Sequence, residues 1–178
     1  LNERYNSQER ISVYVKQLDT DRVAAINDEK SMYAASVAKL GVLYYAQERL
    51  SQKKLSLSDE YQYTSAVNGF PGAYDPDGSG KISKMPDDKN YSLENLLKAV
   101  AQNSDNVATN ILGYYVTNQY DKAFQKSVDK AAATSWNMDK KELTARAAGT
   151  LMEAVYRQNG DIINYLSSTD YDLSLIHI

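Results

Sequence analysis

The chain has 178 residues, a net charge of -3, 43% hydrophobic and 24% charged residues. That is a globular composition, long enough for one domain or two interleaved lobes around a real core. The charge gives a nucleic-acid partner no electrostatic support, and no apolar run approaches the ~18 residues of a transmembrane segment. The absence of cysteine excludes thiol nucleophiles, disulfides and thiolate metal sites. The single histidine, His177, stands next to the end, so a His-based metal cluster is excluded and a Ser-His-Asp triad would need that terminal residue. A catalytic serine here is expected to use a lysine as its base.

Taken in order, residues 1–9 are polar and predict a short helix. Arg10 to Leu18 alternates Ile11, Val13 and Val15 with Ser12, Tyr14 and Lys16, the pattern of a strand. After the turn Asp19-Thr20-Asp21, Arg22 to Asn27 predicts a second strand and so an antiparallel hairpin. A helix is expected from about Ser36 to Ser51 with Leu40, Leu43, Tyr44 and Leu50 on one side. Ser58 to Glu60 reads as a helix start or turn, and Tyr61 to Val67 as strand or coil.

The stretch Asp75-Pro76-Asp77-Gly78-Ser79-Gly80-Lys81-Ile82 has the spacing of a calcium loop at its first positions. Position 12 is Pro86, where a bidentate glutamate is required, so the stretch is read as a glycine-rich turn. Ser92 is expected to cap a helix carrying Leu93, Leu96, Leu97 and Val100. A second helix follows Asn106, with Ala108, Ile111, Leu112 and Tyr115 as its inner face. Residues 119–133 are amphipathic, and 144–158 form another buried helix through Ala147, Ala148, Leu151, Met152 and Val155. Asn159-Gly160 ends it, and Asp161 starts a short last helix. The 15 tyrosines are spread along the chain and read as ordinary amphipathic packing. A two-stranded hairpin is marginal alone, so helices or further strands must cover it.

Two polar groups carry chemistry. Ser36 and Lys39 stand three apart at the mouth of an apolar helix, so they share a face and the amine can reach the hydroxyl. The same Ser-x-x-Lys spacing occurs at Ser51/Lys54 and Ser127/Lys130, but only Ser36 leads into Val37, Ala38, Leu40, Val42 and Leu43. Burial disfavours an ammonium, and moving a lysine from ~10.4 to near 7 takes roughly 4 to 5 kcal/mol. A serine cap on a core helix is the plain alternative. The second group is Ser104-Asp105-Asn106 at a helix junction, which taken alone also makes a good helix cap.

Together these residues resemble the class A β-lactamase and penicillin-binding protein superfamily, whose signatures include Ser-x-x-Lys and Ser-Asp-Asn. The resemblance rests on Ser36-Val37-Ala38-Lys39 after a strand pair, then a helix, Ser104-Asp105-Asn106 and a buried helix, and covers about residues 10–165. It implies an α+β fold: a mostly helical lobe with an N-terminal antiparallel hairpin, forming one catalytic domain over residues 1–172. It implies Ser36 as the acyl-accepting nucleophile, with its backbone N–H as half of an oxyanion hole, and Lys39 as the base. Ser104 would relay a proton to the leaving nitrogen, and Asn106 would hydrogen-bond the substrate. The implied substrates are small β-lactams or cell-wall peptides, met outside the cytoplasmic membrane, with no cofactor and no metal.

Two features depart from that pattern. No Lys-Thr-Gly follows, which leads us to expect an incomplete domain lacking the later strands of the sheet. The tail Leu173 to Ile178 reads as translated sequencing-adapter sequence and is set apart from the domain. No Glu-x-x-Leu-Asn follows Asn106 either; the later glutamates are Glu142, read as a solvated first-turn charge, and Glu153. The segment from Trp136 to Leu143 looks short for the loop that carries this glutamate. These departures favour a long-lived acyl-enzyme over efficient hydrolysis. They also keep open a non-catalytic cell-envelope domain that only binds wall fragments or a partner.

Overall fold

The structure is a computed structural model and describes residues 11–169. The helix expected at 1–9, His177 and the tail 173–178 lie outside the described residues. The chain begins with the expected hairpin, β1 (Val13–Lys16) and β2 (Val23–Ile26), paired antiparallel with Val13 opposite Ile26 and Lys16 opposite Val23. The strand β3 (Met32–Tyr33) then leads through a 3-10 turn at Ala35–Ala38 into α1 (Lys39–Ser51). Next come β4 (Glu60–Gln62), β5 (Asn90–Ser92), α2 (Leu93–Asn103) and α3 (Asn106–Tyr115). The chain continues through α4 (Lys122–Ala132), β6 (Glu142–Leu143), α5 (Ala145–Gln158) and α6 (Asp161–Leu166).

Helix α1 is the axis of the lobe, packed against all five other helices. That explains a difference from the one-sided face expected for it. Val42, Leu43, Tyr45, Ala46 and even Gln47 are buried, whereas Leu40, Tyr44 and Leu50 are half-buried. A helix enclosed by its neighbours has no wet face to show a 3.6-residue period. Gly41 lets the Trp136 ring lie against this helix, since a Cβ there would stand 3.0 Å from Trp136 Cη2. Around α1 the core is closed by Leu96, Leu97, Ile111, Leu112, Phe124 and Leu151, all fully buried.

The helix starts follow their capping residues. Ser92 accepts from the Asn95 N–H, Asp105 from Ala108, Asp121 from Ala123 and Phe124, and Thr144 from Ala147. Two expected inner faces need correction. Tyr115 on α3 and Met152 on α5 are each 38% exposed. Tyr115 turns outward because its ring stacks on Tyr61, centroids 5.4 Å apart, and its hydroxyl donates to the Gln62 carbonyl.

Beyond the hairpin stand two short strand pairs: β3 with β6, neither of which the sequence showed, and β4, at the start of the stretch read as strand or coil, with an unexpected β5. Two- and three-residue strands are too short to display alternation, and each pairs with a distant partner. The stretch expected as strand or coil at 61–67 divides into β4 and a 3-10 turn at Ser65–Asn68. The hairpin lies on α5, where Gly149 admits the Tyr14 ring; a Cβ at that position would stand 2.4 Å from Tyr14 Cδ1.

Candidate active site

Ser36 sits on the 3-10 turn rather than inside the helix, exposed on the surface, while Lys39 opens α1 at 3% exposure. The turn is held by what precedes it. The Ala34 N–H donates to the Lys141 carbonyl at 2.7 Å, and the Tyr74 hydroxyl donates to the Ala35 carbonyl at 3.2 Å. Ala35 itself has φ +46°, a left-handed conformation that side chains other than glycine adopt at a cost. Ser36 borders an open depression of about 590 Å³ that Ser79 and Ser104 also line.

The Ser-Asp-Asn triplet does both things that the sequence allowed. Ser104 closes α2 in the left-handed conformation (φ 50°), and Asp105 is the N-cap of α3. Asp105 is fully buried and accepts from three backbone N–H groups, those of Lys81, Ile82 and Ala108. On either side of that cap, Ser104 and Asn106 turn towards α1.

Lys39 Nζ meets them both. It lies 2.5 Å from the Ser104 carbonyl, 3.1 Å from Ser104 Oγ and 2.6 Å from Asn106 Oδ1. It also lies 4.7 Å from the centroid of the Tyr74 ring. Among the described residues, Ser36 Oγ is not one of its hydrogen-bond partners, so the direct Ser36–Lys39 bond expected from spacing is corrected. The amine is committed to the triplet across the cleft instead. Of the apolar residues expected to crowd it, Ala38, Val42 and Leu43 are buried but Val37 is 46% exposed, and the Tyr74 ring adds cover that the sequence did not show.

Burial lowers the Lys39 amine to about 8, with Asp105 opposing and Lys141 reinforcing that shift. About a tenth of such amines are neutral at pH 7. Asn106 is 8% exposed, and its amide is used on both sides: Oδ1 accepts from Lys39, and Nδ2 donates to the Asp75 carbonyl at 2.7 Å.

That last bond belongs to the Asp75–Ile82 turn, which the sequence marked only as glycine-rich. Ser79 Oγ donates to the Ser104 carbonyl at 2.6 Å, and the Ser79 carbonyl accepts the Asn106 N–H at 2.8 Å. A Cβ on Gly78 would stand 2.2 Å from Asn106 Nδ2, and one on Gly80 2.3 Å from the Asp105 carboxylate. The two glycines thus allow the turn to lie directly on the triplet. Gly-Ser-Gly was the visible signal, but nothing local says what such a turn approaches.

Tyr74 and Lys141 were also missed. Tyr74 is held by fully buried Asn110, which accepts from its N–H at 2.7 Å and donates to its carbonyl at 2.8 Å. Burial pushes the Tyr74 phenol up. Lys141 lies on the short segment between α4 and α5 where a glutamate was sought. The two glutamates are elsewhere: Glu142 is exposed on β6, not in a helix turn, and Glu153 pairs with Lys16 and Arg157.

A helical lobe with a flanking hairpin, and a buried lysine joined to Ser-Asp-Asn, define the architecture of β-lactamases and penicillin-binding proteins. The comparisons agree. The family model described as Beta-lactamase enzyme family matches residues 1–177, and the chain belongs to that family. Among solved structures it is similar to the penicillin-binding protein PBP-A, with TM-score 0.76 and 14% identity over 96% of this chain and 68% of that one. It is similar to a β-lactamase from Sphaerobacter thermophilus, with TM-score 0.68 and 16% identity over 90% of this chain and 63% of that one. For penicillin-binding protein 5 from Haemophilus influenzae the TM-score is 0.66, at 18% identity over 86% of this chain and 45% of that one. The chain thus spans between about half and two thirds of their length. No curated protein sequence matches it.

Proposed function

We propose that this chain carries the nucleophile-bearing lobe of an active-site serine enzyme that is acylated at Ser36 by β-lactams or cell-wall peptides. One observation carries the reading. Lys39 Nζ has two partners that can only accept, the Ser104 carbonyl and Asn106 Oδ1, and one hydroxyl, Ser104 Oγ, that can either accept or donate. A neutral amine places its two N–H bonds on the obligate acceptors and offers its lone pair to the hydroxyl. An ammonium donates to all three. The same cage serves both protonation states, as a proton shuttle requires.

In the proposed reaction Ser36 Oγ attacks the substrate carbonyl carbon, and the Ser36 N–H stabilises the oxyanion. The Ser36 proton passes to Lys39 as the neutral amine turns its lone pair from Ser104 Oγ towards Ser36 Oγ. The C–N bond then breaks, and the leaving nitrogen takes a proton from Ser104 Oγ, which is replenished from Lys39. The product is an ester on Ser36. With Glu142 and Glu153 placed away from the depression, hydrolysis of that ester is slow. Such substrates place the reaction outside the cytoplasmic membrane. A PBP-A variant has been solved as an acyl-enzyme complex with penicillin G, which supports the choice of probe.

The test is intact-mass and peptide mass spectrometry after incubation with benzylpenicillin. The expected result is a single stable adduct on the peptide containing Ser36, absent in Ser36→Ala. An unmodified Ser36 alongside undiminished binding of wall fragments by Ser36→Ala would instead establish a non-catalytic binding domain.

A further inference from the structure

The site contains a second buried amine. Lys141 is 9% exposed, and its Nζ stands 4.5 Å from the centroid of the Tyr74 ring that Lys39 approaches at 4.7 Å. One tyrosine ring therefore contacts two lysines, one from the start of α1 and one from the segment before β6. Lys141 Nζ is anchored to the Gly72 carbonyl at 2.9 Å. The backbone of the same residue accepts the Ala34 N–H, and the hydroxyl of the shared ring holds the Ala35 carbonyl. Both contacts fall on the two residues immediately before Ser36.

We propose that Lys141, which shares the Tyr74 ring with Lys39, is a positioning residue for Lys39 and Ser36. Its charge raises the free energy of a second ammonium beside it, and its backbone and Tyr74 hold the turn that presents the nucleophile. This rests on the reading of Ser36 and Lys39 given above and deepens it. It also assigns a role to a segment where the expected carboxylate is missing.

The charged and titratable groups around the pair are few. Asp105, at the start of α3, opposes the effect by favouring the Lys39 ammonium, and Asp139 favours that of Lys141. Tyr33 and Tyr120 flank Tyr74, and Tyr120 also faces Asp139. Burial lowers Lys141 as well, and Asp139 opposes that shift by favouring its ammonium. Two like charges in a poorly hydrated space leave the more deeply buried Lys39 as the one that yields its proton.

The experiment compares wild type, Lys141→Met and Lys141→Arg in two readouts. The first is the NMR titration of Lys39, assigned by its loss in Lys39→Arg; it needs no reaction at Ser36. The second is the pH profile of benzylpenicillin acylation. In Lys141→Met the Lys39 midpoint should move to higher pH, and acylation at pH 7 should fall about threefold. Lys141→Arg should retain the wild-type midpoint, because charge and not the amine is what acts. A midpoint unmoved in Lys141→Met, with the thermal transition still cooperative, overturns the proposal even if Ser36 is acylated normally. Absence of acylation in wild type with the midpoint moved as expected would instead count against the catalytic reading and leave the Lys39–Lys141 coupling established.

Discussion

Lys39 Nζ and Asn106 Oδ1 stand 2.6 Å apart although 67 residues separate them in the chain. The bond joins the first residue of one helix to the first residue of another, and so fixes α1 against α3 at the point where the depression opens. The proposed reaction and the packing thus depend on the same contact.

Lys39 makes stability depend on pH. Its folded value of about 8 lies below the ordinary 10.5, so between those limits the unfolded chain binds more protons. Stability therefore rises with pH through this window, and the penalty carried below pH 8 is about 3 kcal/mol. Chemical denaturation of wild type and Lys39→Met at pH 7, 8.5 and 10 should show a larger pH-dependent gain in wild type than in the variant. Equal slopes in both would refute the assignment.

The same lysine should set the pH dependence of the proposed reaction. There neutral Lys39 is the base, so acylation of Ser36 should increase with pH and reach half its plateau near pH 8. Stopped-flow acylation with a chromogenic β-lactam measures this, and a flat profile from pH 6 to 9 would exclude Lys39 as the base.

Gly78 and Gly80 should not tolerate alanine. The added methyls would meet Asn106 Nδ2 at 2.2 Å and the Asp105 carboxylate at 2.3 Å, and Gly80 also has φ +131°. Each replacement should cost about 2 kcal/mol or more and slow acylation at least tenfold, because the turn must lift from the triplet. Gly69→Ala is the control: its Cβ would have 3.7 Å to the nearest atom, and its φ is -107°. Thermal melts of the three variants decide it.

Removing the Ser79 hydroxyl tests the turn more gently. Ser79→Ala deletes one donor to the Ser104 carbonyl and leaves Lys39 as its remaining side-chain donor. The loss should be about 1 kcal/mol. The limiting acylation rate constant should fall, with the β-lactam concentration that gives half of it little changed, since Ser79 acts on Ser104 and not on the substrate. A change confined to that concentration would place Ser79 in the binding surface instead.

Asn110 supports the opposite wall. It is fully buried and satisfies both the N–H and the carbonyl of Tyr74, while its Nδ2 also reaches Asn68. Asn110→Ala strands those buried groups and should cost about 2 to 4 kcal/mol. Urea unfolding measures the loss; a change under 0.5 kcal/mol, well below the ~1 kcal/mol of even one buried hydrogen bond, would mean that water replaces the amide.

Much of the protein could be read from the chain alone. Alternation at Val13 and Val15 marked the hairpin, helical spacing of Leu93, Leu96, Leu97 and Val100 with Ser92 ahead marked α2, and the absence of cysteine and of a usable histidine turned attention to Lys39. These signals are local: period, cap and elimination need no knowledge of what lies across the fold. The partners of Lys39 were not local. Spacing favoured Ser36, three residues away, but a side chain bonds to whatever the fold places before it, and α1 carries the amine to Ser104 and Asn106 instead. Tyr74, Ser79 and Lys141 lie in turns and a short connecting segment whose sequences show no periodicity. Their meaning came only from approach, where Gly78 and Gly80 admit the turn to the triplet and Asn110 sets the Tyr74 ring beside two amines. The sequence determined which helices form and singled out Ser36 and Lys39 as candidates; the tertiary structure alone decided which groups the Lys39 amine meets, because hydrogen bonds and burial depend on distance in space.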